Sequence, residues 1–324
     1  MAIRLTTYEH SQDIPDFAGT NVFHSVEIFK ALEQDKGLHP YMLVATEDGK
    51  PAGRLLCVVR PWLSWIGLDA LSVYGTGDYY PCGHSREQVF SEMLAYVTQS
   101  FRDKAFLLEF RNLEEPLFGY RYFRLNGYFC HQWTRVQNTL KREELEKWMS
   151  PGRKRQITLG LARGAKLEVA DTEEKIMEFF AMVKRYYLGK SRRYMPQAAF
   201  FLELHRLAAG RELSRTFIVR YKGKVIGGSV ALFSGSKAYL MFSCGLRRTF
   251  YRMLTPGVLA VWSAIEYAME RGYETFEFID AGLPFRKHGY RDFILRFGGK
   301  QLGSRRWFKI RWSWLNRLLQ WLYL

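Results

Sequence analysis

The chain has 324 residues, of which 48% are hydrophobic and 25% are charged, a composition ordinary for a soluble globular protein and a length that suits two hydrophobic cores better than one. This composition excludes a disordered chain, and no run of about 18 uncharged apolar residues is present to span a bilayer. The net charge of +16 favours polyanionic partners such as RNA, anionic lipid or phosphorylated substrates. A basic surface that keeps the protein soluble by repulsion is the alternative.

Cysteine and histidine spacing bears on the compartment and on metal binding. The 4 cysteines are far apart and form no Cys-x-x-Cys pair, which predicts a reduced, cytoplasmic protein. The 7 histidines show no spacing typical of metal ligands, so we expect no metal.

A hairpin pattern occurs twice along the chain. Residues 41–59 consist of two apolar runs around a turn at Gly49, and residues 216–233 have the same layout around Gly223. A turn glycine between β-branched and aromatic runs is typical of a β-hairpin.

A helix followed by a strand also occurs twice. In the first half, Ser85 and Gln88 predict a capping box at the start of a helix, and a strand follows at residues 105–112. In the second half, Thr255 is the expected N-cap before a proline at the first helical position, and the strand covers residues 274–281.

The two predicted strands align without a gap, so that Glu109 falls on Glu277 and Asn112 on Asp280. Self-similarity at this scale indicates a duplicated domain. Because both halves carry a glutamate inside an apolar strand, we interpret the pair as a shared structural hydrogen bond.

These patterns predict an α/β fold with mixed sheets, built from two domains in tandem. The predicted domains are residues 1–140 and 141–304, followed by a basic, aromatic helix over residues 305–324. Within the second domain, a charged helix is expected to break at Ser150-Pro151 and to resume as a basic segment.

Several segments carry a family resemblance: the basic segment from residue 153, the helix start at residues 255–257, the strand end at residues 279–282, and the closing segment 290–299. In this order they resemble the tandem GNAT fold of FemA/FemB/FemX-type peptidyltransferases and of the BioF2-like acetyltransferases, over nearly the whole chain. The resemblance implies an acyltransferase. Two features depart from it: the lysine of the closing motif falls on Ile294, and the pyrophosphate loop of simple acetyltransferases is absent from both halves.

The start of the second-half helix is the predicted binding site for an acyl-CoA or acetyl-CoA co-substrate. Its free N–H groups and positive dipole end suit a phosphate, Thr255 and Gly257 lie at this end, and Gly257 lets a ligand approach the backbone. Arg252, with Arg247 and Arg248 upstream, adds positive charge. A plain helix cap beside a solvated basic loop is the alternative.

Asp280 is the predicted catalytic residue. It stands at a strand end, where ligands of α/β folds usually bind, and we expect it to orient an amine or to accept its proton. The counterpart Asn112 cannot titrate, so the second half is expected to hold the chemistry. A residue that merely begins a turn is the alternative.

Four cations are predicted to bind an anionic substrate. Lys30 resembles the family lysine that binds the acceptor, and Arg296 stands near Ile294, where the family has its closing lysine. Arg153 and Arg155 lie on the basic segment and are expected to grip phosphate, either of a nucleotide-linked acceptor or of RNA. Solvated basic side chains are the alternative.

Residues 305–324 are rich in tryptophan, leucine and basic side chains. Such an amphipathic helix lies on an anionic membrane surface or docks on a domain core. Peripheral association with the inner face of the membrane follows from the first case, and in both cases we expect the tryptophans to be buried.

The leading interpretation is an N-acyltransferase that transfers an acyl group from acyl-CoA to an amine of an anionic envelope precursor or metabolite. One alternative is an aminoacyl-tRNA-dependent peptidyltransferase of the peptidoglycan-bridge type, which the positive net charge favours. The other is a non-catalytic basic module that binds RNA or membrane surfaces, since fold alone does not fix function.

Overall fold

A computed structural model of the chain describes residues 2–63, 66–113, 115–187, 195–208, 211–246 and 249–323. Contacts divide it into two compact units. Unit 1 combines Met1–Trp133 with Gly303–Leu324, and unit 2 is Thr134–Leu302. Whereas the sequence analysis set the tail apart from residue 305 onward, these residues belong to unit 1.

The described strands are β1 (Ile3–Tyr8), β2 (His39–Glu47), β3 (Lys50–Leu63), β4 (Leu68–Tyr74), β5 (Asp78–Tyr79), β6 (Leu107–Asn112), β7 (Phe129–Thr139), β8 (Lys166–Val169), β9 (Ser214–Tyr221), β10 (Lys224–Ser234), β11 (Lys237–Gly245), β12 (Thr275–Phe278) and β13 (Lys300–Ile310). The described α-helices are α1 (Val26–Glu33), α2 (Arg86–Ser100), α3 (Tyr120–Leu125), α4 (Arg142–Trp148), α5 (Pro151–Ala162), α6 (Glu173–Tyr187), α7 (Ala198–Leu207), α8 (Pro256–Glu270), α9 (Gly289–Leu295) and α10 (Ser313–Leu322).

The two units repeat one sheet topology, which confirms the tandem α/β fold. In unit 1 the strand order is β1-β2-β3-β4-β6, antiparallel except for the parallel pair β4 and β6. In unit 2 the order β8-β9-β10-β11-β12 has the same directions, with β11 and β12 parallel. A helix joins each parallel pair, α2 in unit 1 and α8 in unit 2.

The hairpin turns confirm the repeated turn pattern. Asp48 and Gly49 have φ of 49° and 77°, and Lys222 and Gly223 have φ of 47° and 75°. Positive φ at both central residues is the type I′ geometry, whose twist matches that of the flanking strands.

The aligned glutamates are structural, as predicted. Glu109 is buried in unit 1 and forms ion pairs with Arg111 at 3.0 Å and Arg306 at 3.3 Å. Glu277 is buried in unit 2 and pairs with Arg135 at 2.9 Å. A buried carboxylate needs such partners, because its desolvation is otherwise costly.

The helix predicted from residue 305 is wrong at its start. Residues 305–310 continue β13 and pair in antiparallel register with residues 107–112 of β6. Trp307 is fully buried there, stacked on Phe123 at 4.7 Å. Local sequence does not reveal this strand, because its hydrogen-bonding partner lies far away in the chain.

The helix itself, α10, begins at Ser313 and docks on unit 1 through Asn316. The Asn316 amide donates to the Gly127 carbonyl, and its oxygen accepts from the Ile310 N–H, both at 2.9 Å. Trp314 and Trp321 remain 64% and 71% exposed. The expectation that docking would bury these tryptophans is therefore wrong, since the docked face is built around an asparagine. In the described part of the chain, no helix is both long and apolar enough to cross a bilayer.

Candidate functional site

The parallel strands of unit 2 separate soon after they meet. The register between β11 and β12, both fully described, covers only three pairs, from Lys237 with Thr275 to Tyr239 with Glu277. In unit 1 the equivalent pairing of β4 and β6 covers five pairs and continues with the Gly75 N–H donating to the Arg111 carbonyl at 2.8 Å. The second half of β11 therefore has no neighbour in β12.

A cavity of about 610 Å³ in unit 2 includes this half of β11 in its wall, and its volume is in the range of ligand sites. The end of β11, the start of α8 and the start of α9 contribute most of the wall, which includes Ser243, Arg252, Gly257 and Tyr290. Arg252 is charged, and no carboxylate is among the described lining residues. The cavity thus favours an anion.

The start of α8 differs from the starts of two comparable helices. Ser85 and Ser150 cap α2 and α5, since their hydroxyl oxygens accept the N–H of Gln88 and Arg153, each at 3.3 Å. Thr255 occupies the N-cap position of α8 with φ of 46° and makes no side-chain cap, so the predicted cap at Thr255 is wrong. The first N–H groups of a helix lack intrahelical partners, but at α8 Pro256 has none to offer and the Val258 N–H donates to the Thr255 carbonyl at 2.8 Å. Among the described residues, the Gly257 N–H is the group of this turn that remains for a ligand.

The loss of this cap has a physical reason. At its positive φ, the Thr255 side chain is turned away from the first turn, and its hydroxyl donates instead to the Gln156 carbonyl at 3.5 Å. A threonine in the left-handed region is strained by about 1–3 kcal/mol. Strain of this kind is typical of ligand sites.

Two glycines bring the start of α8 against the end of β11. A Cβ added to Gly245 would lie 2.3 Å from the Gly257 nitrogen, so no other residue fits at position 245 without movement. Beyond its own helix turn and among the described residues, a Cβ added to Gly257 would find its nearest atom in the Gly245 nitrogen at 4.0 Å, and Gly257 lies in the cavity wall. Gly257 thus leaves open space at this point of the wall, and its predicted contact with a ligand stays a prediction.

Tyr290 and Ser243 are candidate functional residues that sequence reasoning missed. The Tyr290 hydroxyl hydrogen-bonds with Ser243, and both side chains line the cavity. Desolvation of the phenol and the nearby carboxylate of Asp280 raise the pKa of Tyr290 above its ordinary value. Tyr290 therefore stays protonated at neutral pH. The available signal was its place at the start of the closing segment.

Asp280 follows the end of β12 and is half-buried. It does not line the cavity among the described residues, but it is close enough to Tyr290 to act on that phenol electrostatically. The structure thus brings the predicted catalytic carboxylate near the cavity that Arg252, Thr255 and Gly257 line.

Arg153 has the contacts of a structural residue. Only 2% of it is exposed, and its guanidinium lies 4.5 Å and 4.3 Å from the ring centres of Phe293 and Phe297. It donates to the Phe293 carbonyl at 2.6 Å and to Gln156 at 2.8 Å. Desolvation, with Arg296 nearby, lowers the pKa of Arg153 to about 10. These contacts fix α9 against α5.

The other predicted substrate-binding cations lie apart from this cavity's wall. Arg155 and Arg296 are exposed on unit 2, and Lys30 is half-buried in the last turn of α1 in unit 1. Ile294, at the position of the family lysine, is fully buried in the core of unit 2. A lysine there would place an ammonium group among apolar side chains.

Two further predictions concern the arginines beside Arg252 and the binding of a metal. Arg247 and Arg248, predicted beside Arg252, lie outside the described residues. Among the described residues, no group of three or more histidines, cysteines and carboxylates is placed to hold a metal ion.

Known proteins share this architecture. Residues 152–287 match the family model "Acetyltransferase (GNAT) domain". A comparison with curated protein sequences gives no significant match. Among solved structures, a crystal structure of FemX is similar with a TM-score of 0.62 and 12% identity, covering 99% of each chain.

Two other solved structures are similar over most of their length. A tandem GNAT protein from the clavulanic acid biosynthesis pathway has a TM-score of 0.58 and 11% identity, covering 96% of this chain and 99% of that one. L-PGS from Bacillus licheniformis has a TM-score of 0.56 and 13% identity, covering 92% and 94%. At these identities the likeness shows the fold. The chain therefore has the tandem GNAT fold of FemX, with a matched GNAT acetyltransferase domain in its second unit, and these findings support an acyltransferase.

Proposed function

We propose that unit 2 transfers an acyl group from acyl-CoA to an amine of an anionic metabolite or envelope precursor. The observation that carries the proposal is the uncapped start of α8 in the wall of the cavity, with Arg252 and Gly257 beside it. The Gly257 N–H at the positive end of α8, together with the Arg252 side chain, suits the pyrophosphate of a CoA thioester. The residues present therefore fit the co-substrate.

The chemistry asks little of the protein beyond position and proton transfer. The amine nitrogen bonds to the carbonyl carbon as the carbon–sulfur bond breaks, so the amine loses a proton and the thiolate gains one. Tyr290 is protonated at neutral pH and serves as the donor to the leaving sulfur, with Ser243 orienting its hydroxyl. Asp280 is the candidate acceptor of the amine proton.

Transfer also develops negative charge on the carbonyl oxygen, which backbone N–H groups stabilise in many acyl transfers. The half of β11 that β12 leaves unpaired offers such groups inside the cavity wall. In unit 1 the equivalent groups are used by the pairing of β4 with β6. This difference supports chemistry in unit 2.

Thiol release from acetyl-CoA and longer acyl-CoAs, measured with a panel of amine acceptors, tests the proposal. Tyr290→Phe is expected to lower kcat by about 100-fold, because a positioned proton donor contributes about that much or more, with donor affinity unchanged. Tyr120→Phe in unit 1 is the matched control, since both tyrosines are 38% exposed, and it should retain full activity.

Three results would decide against this version. Absence of both thiol release and thermal stabilisation with every acyl-CoA would exclude an acyl-CoA donor at the α8 site. Transfer of a labelled amino acid from aminoacyl-tRNA would then establish the peptidyltransferase, which the net charge of +16 favours. Salt-sensitive RNA binding without any transfer would establish the non-catalytic module.

A further inference from the structure

Unit 1 holds a second cavity, of about 570 Å³, for which the proposed chemistry has no use. The end of α2, the end of β13 and the start of α10 contribute most of its wall. Four of its lining residues are cations, namely Arg102, Lys309, Arg311 and Arg317. No carboxylate is among the described lining residues, so the cavity is strongly electropositive.

Hydrogen bonds hold two of the polar side chains in the cavity wall in place. Lys309 is half-buried, and its ammonium group donates to the Asn126 carbonyl at 2.6 Å. Asn316, also in the wall, is buried and ties α10 to the neighbouring backbone. Desolvation and the charge of Arg102 lower the pKa of Lys309 below its ordinary value. An anion in the cavity would relieve this repulsion.

The acid that pairs with Arg311 compensates little of this charge. Asp103 lies 3.6 Å from Arg311, and both side chains are at least half exposed. Exposed pairs of this kind contribute about 0–1 kcal/mol. The four cations thus keep most of their positive potential.

A row of aromatic rings, three exposed tryptophans around the buried Phe106, continues from the cavity's edge. Trp62 stacks on Phe106 at 5.9 Å, Phe106 meets Trp312 at 5.1 Å, and Trp312 stacks on Trp314 at 6.3 Å. The three tryptophans are 37%, 52% and 64% exposed. Further along α10, Leu318, Trp321 and Leu322 are also exposed. Indole rings in this number on one face are typical of the membrane interface.

We propose that this face of unit 1 docks on an anionic phospholipid surface, with a lipid phosphate in the cavity and the tryptophans of the row and of α10 in the interface. The inference is independent of the proposed function. A basic helix with exposed tryptophan and leucine lies in the plane of the bilayer surface, and each basic side chain there contributes about 1 kcal/mol with anionic lipid.

Charge argues against other occupants of this face. A second copy of the chain, meeting it by two-fold symmetry, would set four cations against four cations. A nucleic acid would use the cations but would leave the exposed leucines of α10 without an apolar partner. An anionic bilayer satisfies both features at once.

Co-sedimentation of the full chain with vesicles tests the proposal. We expect binding to vesicles in which about 30 mol% of the lipid is phosphatidylglycerol and the rest is phosphatidylcholine. We expect little binding to vesicles of phosphatidylcholine alone. Arg102→Gln with Arg317→Gln should weaken binding by about 25-fold, since each charge contributes about five-fold. Trp314→Ala with Trp321→Ala should weaken it at least as much.

Matched controls separate this surface from general charge and hydrophobicity. Arg121→Gln with Arg142→Gln removes the same charge from exposed arginines elsewhere, and Trp148→Ala removes an indole that is 60% exposed. Both controls should bind vesicles like the unaltered protein. Each variant is expected to fold, because all substituted side chains are exposed, and circular dichroism checks this.

Three outcomes would overturn the proposal. Equal loss of binding in the control pair would mean that only net charge matters. Glycerol phosphate that stabilises the unaltered protein and the tryptophan variant alike, without vesicle binding, would make the cavity a site for a soluble phosphate. A dimer in light scattering that the tryptophan substitutions abolish would make this face a contact between copies.

Discussion

Gly257→Ala separates the ligand role of the α8 start from its role in stability. Beyond its own helix turn and among the described residues, an added methyl group would find its nearest atom, the Gly245 nitrogen, at 4.0 Å, so it creates no clash. Alanine is favoured over glycine in a helix by about 0.5–1 kcal/mol. For a domain of this size, that gain raises Tm by about 1–4 °C.

The same methyl group projects into the wall of the cavity, where we propose that the donor's phosphates approach the backbone. We therefore expect acetyl-CoA to bind the Gly257→Ala protein at least about 10-fold more weakly, which corresponds to about 1.4 kcal/mol. Titration calorimetry measures the affinity, and thermal denaturation without ligand measures the stability.

Gly152→Ala is the matched control for this substitution. Gly152 also follows a proline at the first position of a helix, and in the described part of the chain an added Cβ there meets nothing within 4 Å beyond its own helix turn. It lies outside the cavity wall, so this variant should gain stability and keep donor affinity. Equal affinity in both variants would refute donor binding at the α8 start, and a loss of stability in Gly257→Ala alone would refute the steric argument.

Three further predictions concern stability. Glu277→Ala should cost about 3–5 kcal/mol in urea unfolding, because it leaves a largely buried arginine without its counter-charge; a cost below about 1 kcal/mol would contradict the structural role of the pair. Ser150→Ala should lower the free energy of unfolding by about 1 kcal/mol, because a helix cap is lost. Thr255→Ala should change it by less than about 0.5 kcal/mol, since Thr255 makes no cap. Equal losses in the two variants would mean that both residues cap their helices. Burial lowers the pKa of His24 from 6.5 to about 3, so between these pH values the unfolded chain binds a proton that the folded chain does not. The free energy of unfolding therefore falls as the pH drops below 6.5, by about 2 kcal/mol at pH 5. His24→Gln should remove this part of the loss when unfolding is compared at pH 7 and pH 5.

The fold followed from sequence wherever the determining interactions are local. The hairpin turns at Gly49 and Gly223 and the capping box at Ser85 need only neighbouring residues, and the structure confirms them. The alignment of Glu109 with Glu277 revealed the duplication, because both halves retained the same buried acid.

The site was less accessible to sequence reasoning because it depends on long-range pairing. The separation of β11 from β12 is a property of two strands, and nothing in either segment alone predicts where their register ends. Arg153 was selected for its charge, yet Phe293 and Phe297 of a distant segment bury it. The Ser243 bond that distinguishes Tyr290 likewise joins two remote elements.

The return of the chain into unit 1 has a consequence for biosynthesis. Arg306 pairs with Glu109, and Trp307 stacks on Phe123. Both residues are synthesised only after all of Thr134–Leu302. A nascent chain therefore holds every residue of unit 2 before β13 can pair with β6 in unit 1. Domains usually fold in the order in which they emerge from the ribosome, but here we expect the later half to fold first, while β6 waits with an open edge that other chains can pair with.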